Sequence, residues 1–115
     1  MNVSRGRFFE KQVKDYLKQN NYNIISSNFY TPYGEIDLIA ERNRKIYFIE
    51  VKYLSKDNII NPIKKIDMAK IRRIFLSISY LKKFCKILSY QVDSYSVYFK
   101  KGIITFECFP DLRLQ

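Results

Sequence analysis

The segment from Gly34 to Lys52 restricts the possible folds more than any other part of this sequence. Its two halves, residues 34–40 and 46–52, run apolar or alternate in the manner of β-strands, and the polar residues 41–45 between them are typical of a turn. We therefore expect an antiparallel hairpin centred on Asn43-Arg44. The apolar pattern specifies its register, because a slip of one residue would move every side chain to the opposite face.

The predicted register gives the hairpin an apolar face and a charged face. The apolar pairs are Ile36 with Val51, Leu38 with Ile49, and Ala40 with Tyr47. The charged face has Asp37 opposite Glu50 and Glu35 opposite Lys52. Like charges that face each other destabilise a sheet, and buried unpaired carboxylates are costly. A divalent metal ion beside the lysine would remove this conflict, whereas the alternative is a solvated strand face with a salt bridge between Glu35 and Lys52.

The charge balance indicates a polyanionic partner. Lys and Arg number 21 against 11 Asp and Glu, which gives a formal net charge of +10. Nucleic acid is the commonest partner of such a small basic domain. A membrane surface fits less well, because no predicted helix is long, basic on one face and continuously apolar on the other. A coding sequence rich in A and T would also enrich lysine, but it would not gather acidic residues in the hairpin.

The sequence contains no histidine, and this narrows the possible chemistry. A Ser-His-Asp triad and a histidine-bound zinc are both excluded. Any metal site must use oxygen ligands, which suit Mg²⁺ or Mn²⁺. Cys85 and Cys108 lack the spacing of metal ligands and are expected to be buried thiols.

The remaining pattern predicts two helices and three more strands. The helices are expected from Ser4, as N-cap, to about Gln19 and from about Pro62 to Lys83; the strands over Tyr22–Tyr30, Ile87–Tyr98 and Gly102–Phe109. Residues 53–62 form a polar loop in this prediction. The order αβββαββ predicts an α+β fold in which helices flank a central mixed sheet, in a single domain of residues 1–115.

The apolar runs are too short for a membrane span, and the N-terminus lacks the apolar centre of a signal peptide. A cytoplasmic location without membrane attachment is therefore the default expectation.

The second predicted helix carries most of the candidate nucleic-acid contacts. They are Lys64, Lys65, Lys70, Arg72 and Arg73. A phosphodiester backbone requires positive charge of this kind beside a carboxylate site. The alternative is a solvated basic face. On the first helix, Glu10 lies beside the apolar stripe, and its pattern alone favours a surface pair with Lys14.

Three phrases of the sequence resemble a known family. They are Gly6-Arg7-Phe8-Phe9-Glu10, Tyr33-Gly34-Glu35-Ile36-Asp37-Leu38-Ile39-Ala40 and Phe48-Ile49-Glu50-Val51-Lys52. These phrases are similar to those of the YraN-like family, small bacterial proteins whose suggested activity is that of an endonuclease. The order of motifs also resembles the PD-(D/E)xK restriction-endonuclease-like nucleases, among which the archaeal Holliday-junction resolvases are the most similar with an assigned activity.

The resemblance implies a role for each acidic residue. Asp37 and Glu50 would be metal ligands, Lys52 the active-site lysine, and Glu10 the helix glutamate that supports the metal. Glu35 falls on a glutamate typical of the family, as a metal ligand or as a partner of Lys52. This sequence departs from the family pattern in two places. Ile36 replaces the usual proline before the aspartate, and Tyr53-Leu54 follows Lys52 where small polar and basic residues are expected.

The expected function is metal-dependent hydrolysis of phosphodiester bonds in DNA, including branched or structured DNA as for the resolvases. The cofactor would be Mg²⁺ or Mn²⁺. The main alternative is a nucleic-acid-binding module whose active site is vestigial or very slow, and a weaker one is a protein-interaction domain. The sequence leaves a homodimer open.

Overall fold

The predicted order of helices and strands is confirmed by a computed structural model, which describes residues 2–54 and 66–114, with side chains from residue 6 onward. The elements are α1 (Asn2–Gln19), β1 (Asn23–Thr31), β2 (Gly34–Arg42), β3 (Lys45–Tyr53), α2 (Met68–Leu81), β4 (Tyr90–Lys100) and β5 (Ile103–Phe109). The fold is α+β with a five-stranded mixed sheet in the order β1-β2-β3-β4-β5. Neighbouring strands are antiparallel except for the parallel pair β3–β4, which α2 connects as a crossover.

The hairpin has the predicted register in the part next to its turn. Leu38 pairs with Ile49 and Ala40 with Tyr47, up to the turn at Asn43 and Arg44. These two residues have φ angles of 53° and 65°, as a two-residue turn between twisted strands requires. The apolar pattern thus determined this register, since both members of each pair are buried.

The register below Leu38 and Ile49 differs from the prediction. The expected pairs Asp37–Glu50 and Glu35–Lys52 are absent from the β2–β3 ladder, which ends at Leu38–Ile49, and Glu35 pairs instead with Tyr30 of β1. The reason is that the Asp37 side chain, at 2.8 Å, accepts the hydrogen bond from the Val51 backbone N–H. The two strands therefore diverge at the point where both carry a carboxylate.

The same irregularity moves Ile36 to the opposite face of the sheet. The prediction placed it on the apolar face with Leu38, but it packs with Ile39 and Phe48 in the cluster under α2. Strict alternation of side chains fails between Ile36 and Leu38, because β2 departs from a regular ladder around Asp37.

Each helix covers one face of the sheet. Val13 and Leu17 of α1 pack on Leu38 and Ile49, and all four side chains are fully buried. On the other face, the buried residues Ile71, Ile74 and Ile78 of α2 pack on Ile36, Ile39, Phe48 and Val92. The α1 stripe recurs every three or four residues, as expected for a helix with one apolar side. The sheet therefore lies between the two helices, and the divergence of β2 and β3 leaves a gap between these two strands.

The structure differs from both predicted helices near their N-terminal ends. Ser4 is not the N-cap of α1, because the helix already begins at Asn2. The helix α2 begins at Met68, since Asp67 is its N-cap and accepts hydrogen bonds from the backbone N–H groups of Ala69 and Lys70, whereas the predicted start at Pro62 lies outside the described residues. The sequence analysis assigned no role to Asp67. The candidate contacts Lys64 and Lys65, and most of the predicted loop, lie outside the described residues.

Cys85 and Cys108 are both exposed free thiols, so the prediction that they are buried was wrong. Cys85 lies between the end of α2 and the start of β4, and Cys108 is on the edge strand β5. In the described part of the chain, no helix is long and apolar enough to cross a membrane.

Replacing Leu17 with alanine tests the packing of α1. Leu17 is fully buried, and we expect Leu17→Ala to lower the free energy of unfolding by about 2–5 kcal/mol, because it removes buried methyl groups and leaves a cavity. Leu88→Ala is the matched control, since that side chain is 83% exposed and its loss should cost less than about 0.5 kcal/mol. Urea unfolding of both variants measures the difference, and equal losses would contradict the packing described here.

Candidate active site

Two buried carboxylates occupy the point where β2 and β3 diverge. Asp37 is 7% exposed and Glu50 is 3% exposed, although both are acidic. Asp37 accepts a hydrogen bond from the backbone N–H of Val51, so its side chain takes the position that a backbone acceptor would have in a regular ladder. Asp37 and Glu50 are also joined by a side-chain hydrogen bond, which requires a proton between them.

Burial and mutual repulsion alter the acidity of this pair. Burial, and then the neighbouring charge of Glu50, raises the pKa of Asp37 to about 9, against the opposing effect of the Val51 N–H. Burial also raises the pKa of Glu50, while the Lys70 ammonium group opposes that rise. Two carboxylates in one site cannot both ionise without a compensating cation, and the pair therefore retains a proton at neutral pH.

The first turn of α2 brings a cation to the pair. Lys70 Nζ lies 3.4 Å from Glu50 Oε1, and this carboxylate raises the pKa of Lys70. Lys70 and Arg73 line a cavity of about 250 Å³ together with Glu35, Asp37 and Glu50. The cavity therefore has an acidic side on the strands and a basic side on α2.

Gly34 lies at the start of β2, beside the Arg73 side chain. Its φ angle of 137° is one that side chains rarely adopt, although the space itself would accept a Cβ, which would lie at an ordinary contact distance of 3.7 Å from Arg73 Cδ. The Tyr-Gly-Glu phrase thus has a structural role at this cavity.

Glu10 of α1 approaches the site from the other face of the sheet. One carboxylate oxygen from each of Glu10, Glu35 and Asp37 lies within 4.8 Å of the others. Asn28 fixes Glu10, because its Nδ2 donates to Glu10 Oε1 at 2.9 Å. The hydroxyl of Tyr30 hydrogen-bonds to Glu35, which raises the pKa of this tyrosine. Asp37 is therefore shared by a group of three acids on one side and by the pair with Glu50 on the other.

The donor set fits a hard divalent cation. Its members offer carboxylate oxygens, and neither histidine nor cysteine belongs to the described group. A further polar atom near the pair lacks a hydrogen-bond partner. Ser94 lies opposite Glu50 in the β3–β4 register, and its buried Oγ has no hydrogen-bond partner among the described residues, so it could bond to a group bound at this site. Asp37, Glu50, Glu35 and Glu10 are the residues that could hold the ion.

The predicted site residues do not all meet at this cavity. Glu10, Glu35, Asp37 and Glu50 come together. Lys52 lies on β3 two residues after Glu50, half-buried, and within the described ranges no ion pair joins it to a carboxylate. Among the basic candidates, Lys70 and Arg73 line the cavity, whereas the exposed Arg72 borders a separate cleft near the C-terminus.

Sequence reasoning missed two contacts of this candidate site. It assigned Lys70 to a nucleic-acid surface and did not predict its ion pair with Glu50. The crossover that follows β3 made this pair foreseeable, because such a helix packs back over the strands that it connects. Sequence reasoning also gave no role to Asn28, which has a positive φ of 53° and contacts Glu10. An asparagine in the middle of a strand is uncommon, and this is the sequence signal that could have drawn attention to Asn28.

The buried pair predicts an unusual pH dependence of stability. Without metal, the folded protein retains the Asp37 proton while the unfolded chain loses it near its ordinary pKa, so the folded state binds more protons between about pH 4 and 9. We therefore expect the Asp37 contribution to lower stability progressively as the pH rises through this window. Asp37→Asn should raise the free energy of unfolding at about pH 8 by about 1–3 kcal/mol, because the amide is neutral and still accepts from Val51.

Urea unfolding in the presence of a chelator, repeated across the window, measures this effect. Glu41→Gln is the matched control, because it also removes an acid from β2 but lies outside the cavity. The same slope of unfolding free energy against pH in wild type, Asp37→Asn and the control would contradict the conclusion that Asp37 retains a proton in the folded state.

Comparisons with known proteins match most of this sequence. Residues 9–97 match the model of a family described as "Uncharacterised protein family UPF0102". A UPF0102 protein of Nitratiruptor sp. is 35% identical over 111 residues, which cover 96% of this chain and 93% of that protein. A UPF0102 protein of Dichelobacter nodosus is 38% identical over 80 residues, which cover 69% of this chain and 64% of the relative.

The matched segment contains Glu10, the whole β2–β3 hairpin and α2, and thus every residue that lines the carboxylate cavity. The chain belongs to the UPF0102 family, whose members are the YraN-like proteins.

Proposed function

We propose that this protein is a metal-dependent nuclease of the PD-(D/E)xK type that hydrolyses phosphodiester bonds in DNA, including branched or structured DNA. The observation that carries the proposal is the buried pair Asp37–Glu50 in a cavity whose opposite side is basic. Buried acids that repel each other reduce stability, so a role in binding a cation explains why the chain places them together. The basic side explains why the ligand beside that cation would be an anion.

The carboxylates would bind Mg²⁺ or Mn²⁺. Asp37 and Glu50 are the principal ligands, with Glu10 and Glu35 close enough to Asp37 to complete the set. The ion would supply positive charge that lowers the pKa of an attacking water and offsets charge on the phosphate. On binding it, the Asp37–Glu50 pair would lose its shared proton, since both oxygens would then face a cation.

Lys70 and Arg73 would hold the phosphate. In the structure Lys70 pairs with Glu50 inside this cavity, and its ammonium group would contact a substrate oxygen there once Glu50 takes part in holding the ion. Arg73 offers a planar fork suited to phosphate. Lys52 follows Glu50 on β3 and would act on the water or the developing charge, as its place in the Glu-x-Lys phrase implies.

A nucleic-acid-binding module is the second candidate function. The Lys70–Glu50 ion pair favours it, because a protein cation already compensates part of the acidic charge. Such a module would retain the basic surfaces and bind nucleic acid without cleaving it. The two functions differ in their dependence on divalent metal.

A stability measurement tests the metal site independently of the substrate. Saturating Mg²⁺ or Mn²⁺ should raise Tm by about 5 °C, because the ion binds only the folded arrangement of carboxylates and relieves their repulsion. Asp37→Ala should abolish this increase, and Glu41→Gln should retain it. An equal increase in Asp37→Ala would place the ion elsewhere.

A cleavage assay tests the activity itself. With Mg²⁺ or Mn²⁺, we expect cleavage of at least one member of a panel of duplex, flap, four-way-junction and RNA substrates. Asp37→Asn and Glu50→Gln should each reduce the rate by about 100-fold or more, and Lys52→Ala by about 10-fold or more, because each removes charge from the reacting site. The control Glu41→Gln should stay within about twofold of wild type.

Binding without any metal-dependent cleavage on this panel would overturn the nuclease proposal in favour of the binding module. Cleavage that is equally fast in Asp37→Asn would indicate a contaminating nuclease.

A further inference from the structure

A second basic surface lies on α1, away from the helix that the sequence analysis considered. A groove of about 510 Å³ runs between α1 and β1. Among the α1 side chains that the structure describes, four cations line it: Arg7, Lys11, Lys14 and Lys18. They recur every three or four residues, so they share one side of the helix over about 16 Å. We call this surface the α1–β1 groove.

The cations of the groove are only partly neutralised. Asp15 forms an ion pair with Lys11 at 2.8 Å, and the proximity of Lys14 and Lys18 further lowers the pKa of this acid. In the part of the chain that the structure describes, no ion pair joins Arg7, Lys14 or Lys18 to a carboxylate. The helix dipole explains Lys18 in the last turn but not Arg7, which lies in the N-terminal half.

The groove is continuous with the candidate active site. Glu10 lines it between Arg7 and Lys14, and the same side chain belongs to the carboxylate group with Glu35 and Asp37. Asn28 also lines the groove and hydrogen-bonds to Glu10. A ligand that lies along the cations of α1 would therefore pass directly beside the acids.

The geometry points to a nucleic-acid strand as the occupant: we propose that the α1–β1 groove binds the phosphodiester backbone of the strand whose neighbouring phosphate reaches the Asp37 site. The identity of this ligand rests on the proposed function. Cations at regular spacing beside a carboxylate site match a polyanion that must extend past the reacting phosphate. A membrane surface matches less well, because the apolar stripe of α1, including Val13 and Leu17, is buried against the sheet.

The arrangement also gives the two helices different tasks. Lys70 and Arg73 of α2 face the phosphate inside the cavity, whereas the α1 cations lie outside it along the groove. We therefore assign substrate positioning to α1 and contact with the reacting phosphate to α2.

The test measures binding in the absence of metal. Lys14→Gln/Lys18→Gln removes two groove charges, and Lys100→Gln/Lys101→Gln removes two exposed charges at the β4–β5 turn as a control of equal net charge. Both pairs are made in the Asp37→Asn background, so that cleavage cannot interfere. Fluorescence anisotropy with labelled single-stranded and duplex DNA is recorded over a series of salt concentrations, and thermal melting verifies that each variant is folded.

We expect the groove variant to bind DNA about 10-fold or more weakly and to lose about 1.4–1.8 from the slope of log K against log salt, as two lost phosphate contacts predict. The control should stay within about twofold on both probes. Equal losses in the two variants, or unchanged binding in the groove variant, would overturn the proposal. So would a loss confined to anionic phospholipid vesicles or to an acidic polypeptide, each measured in parallel.

The result is separable from that of the proposed function. Weakened DNA binding in the groove variant would support the groove even if the wild-type protein cleaved nothing. Metal-dependent cleavage with unchanged binding in the groove variant would support the nuclease and overturn the groove.

Discussion

The hydrogen bond from the Val51 N–H to the Asp37 carboxylate determines the geometry of the site. It ends the β2–β3 ladder by replacing a backbone acceptor with a side chain, and the strands separate there. The gap admits a second buried carboxylate, Glu50, and lets α1 and α2 reach the same acids from opposite faces of the sheet. An unbroken ladder would have placed both side chains on the face that α2 covers, without access from α1.

The fold was largely predictable because its hairpin alternates cleanly. Leu38, Ala40, Tyr47 and Ile49 allow only one register with a buried face, and that register occurs. Ile36 was misplaced because the prediction assumed that backbone hydrogen bonds continue past Asp37. The start of α2 at Met68 was missed for a similar reason, since the capping role of Asp67 depends on local backbone geometry rather than on hydrophobic period.

The acidic part of the site was predictable to a greater extent than its basic part. Asp37 and Glu50 lie on adjacent strands, so their proximity follows from the hairpin. Glu10 required the family resemblance, because its pattern favoured a surface pair with Lys14. Lys70, by contrast, contacts Glu50 only because α2 packs across β3. The groove cations likewise line one surface only when α1 lies on the sheet. Such tertiary relations leave no fixed spacing in a sequence.

The parallel pairing of β3 with β4 has a consequence for the order in which the molecule assembles. The hairpins β1–β2 and β2–β3 join neighbours in the chain, whereas β4 can pair with β3 only after the crossover through α2 has closed. Loop closure makes such pairing intrinsically slower. The acids of β2 and β3 would thus meet before Lys70 arrives. In a chain that has formed only its first three strands, no Lys70 ammonium group would offset the repulsion between Asp37 and Glu50.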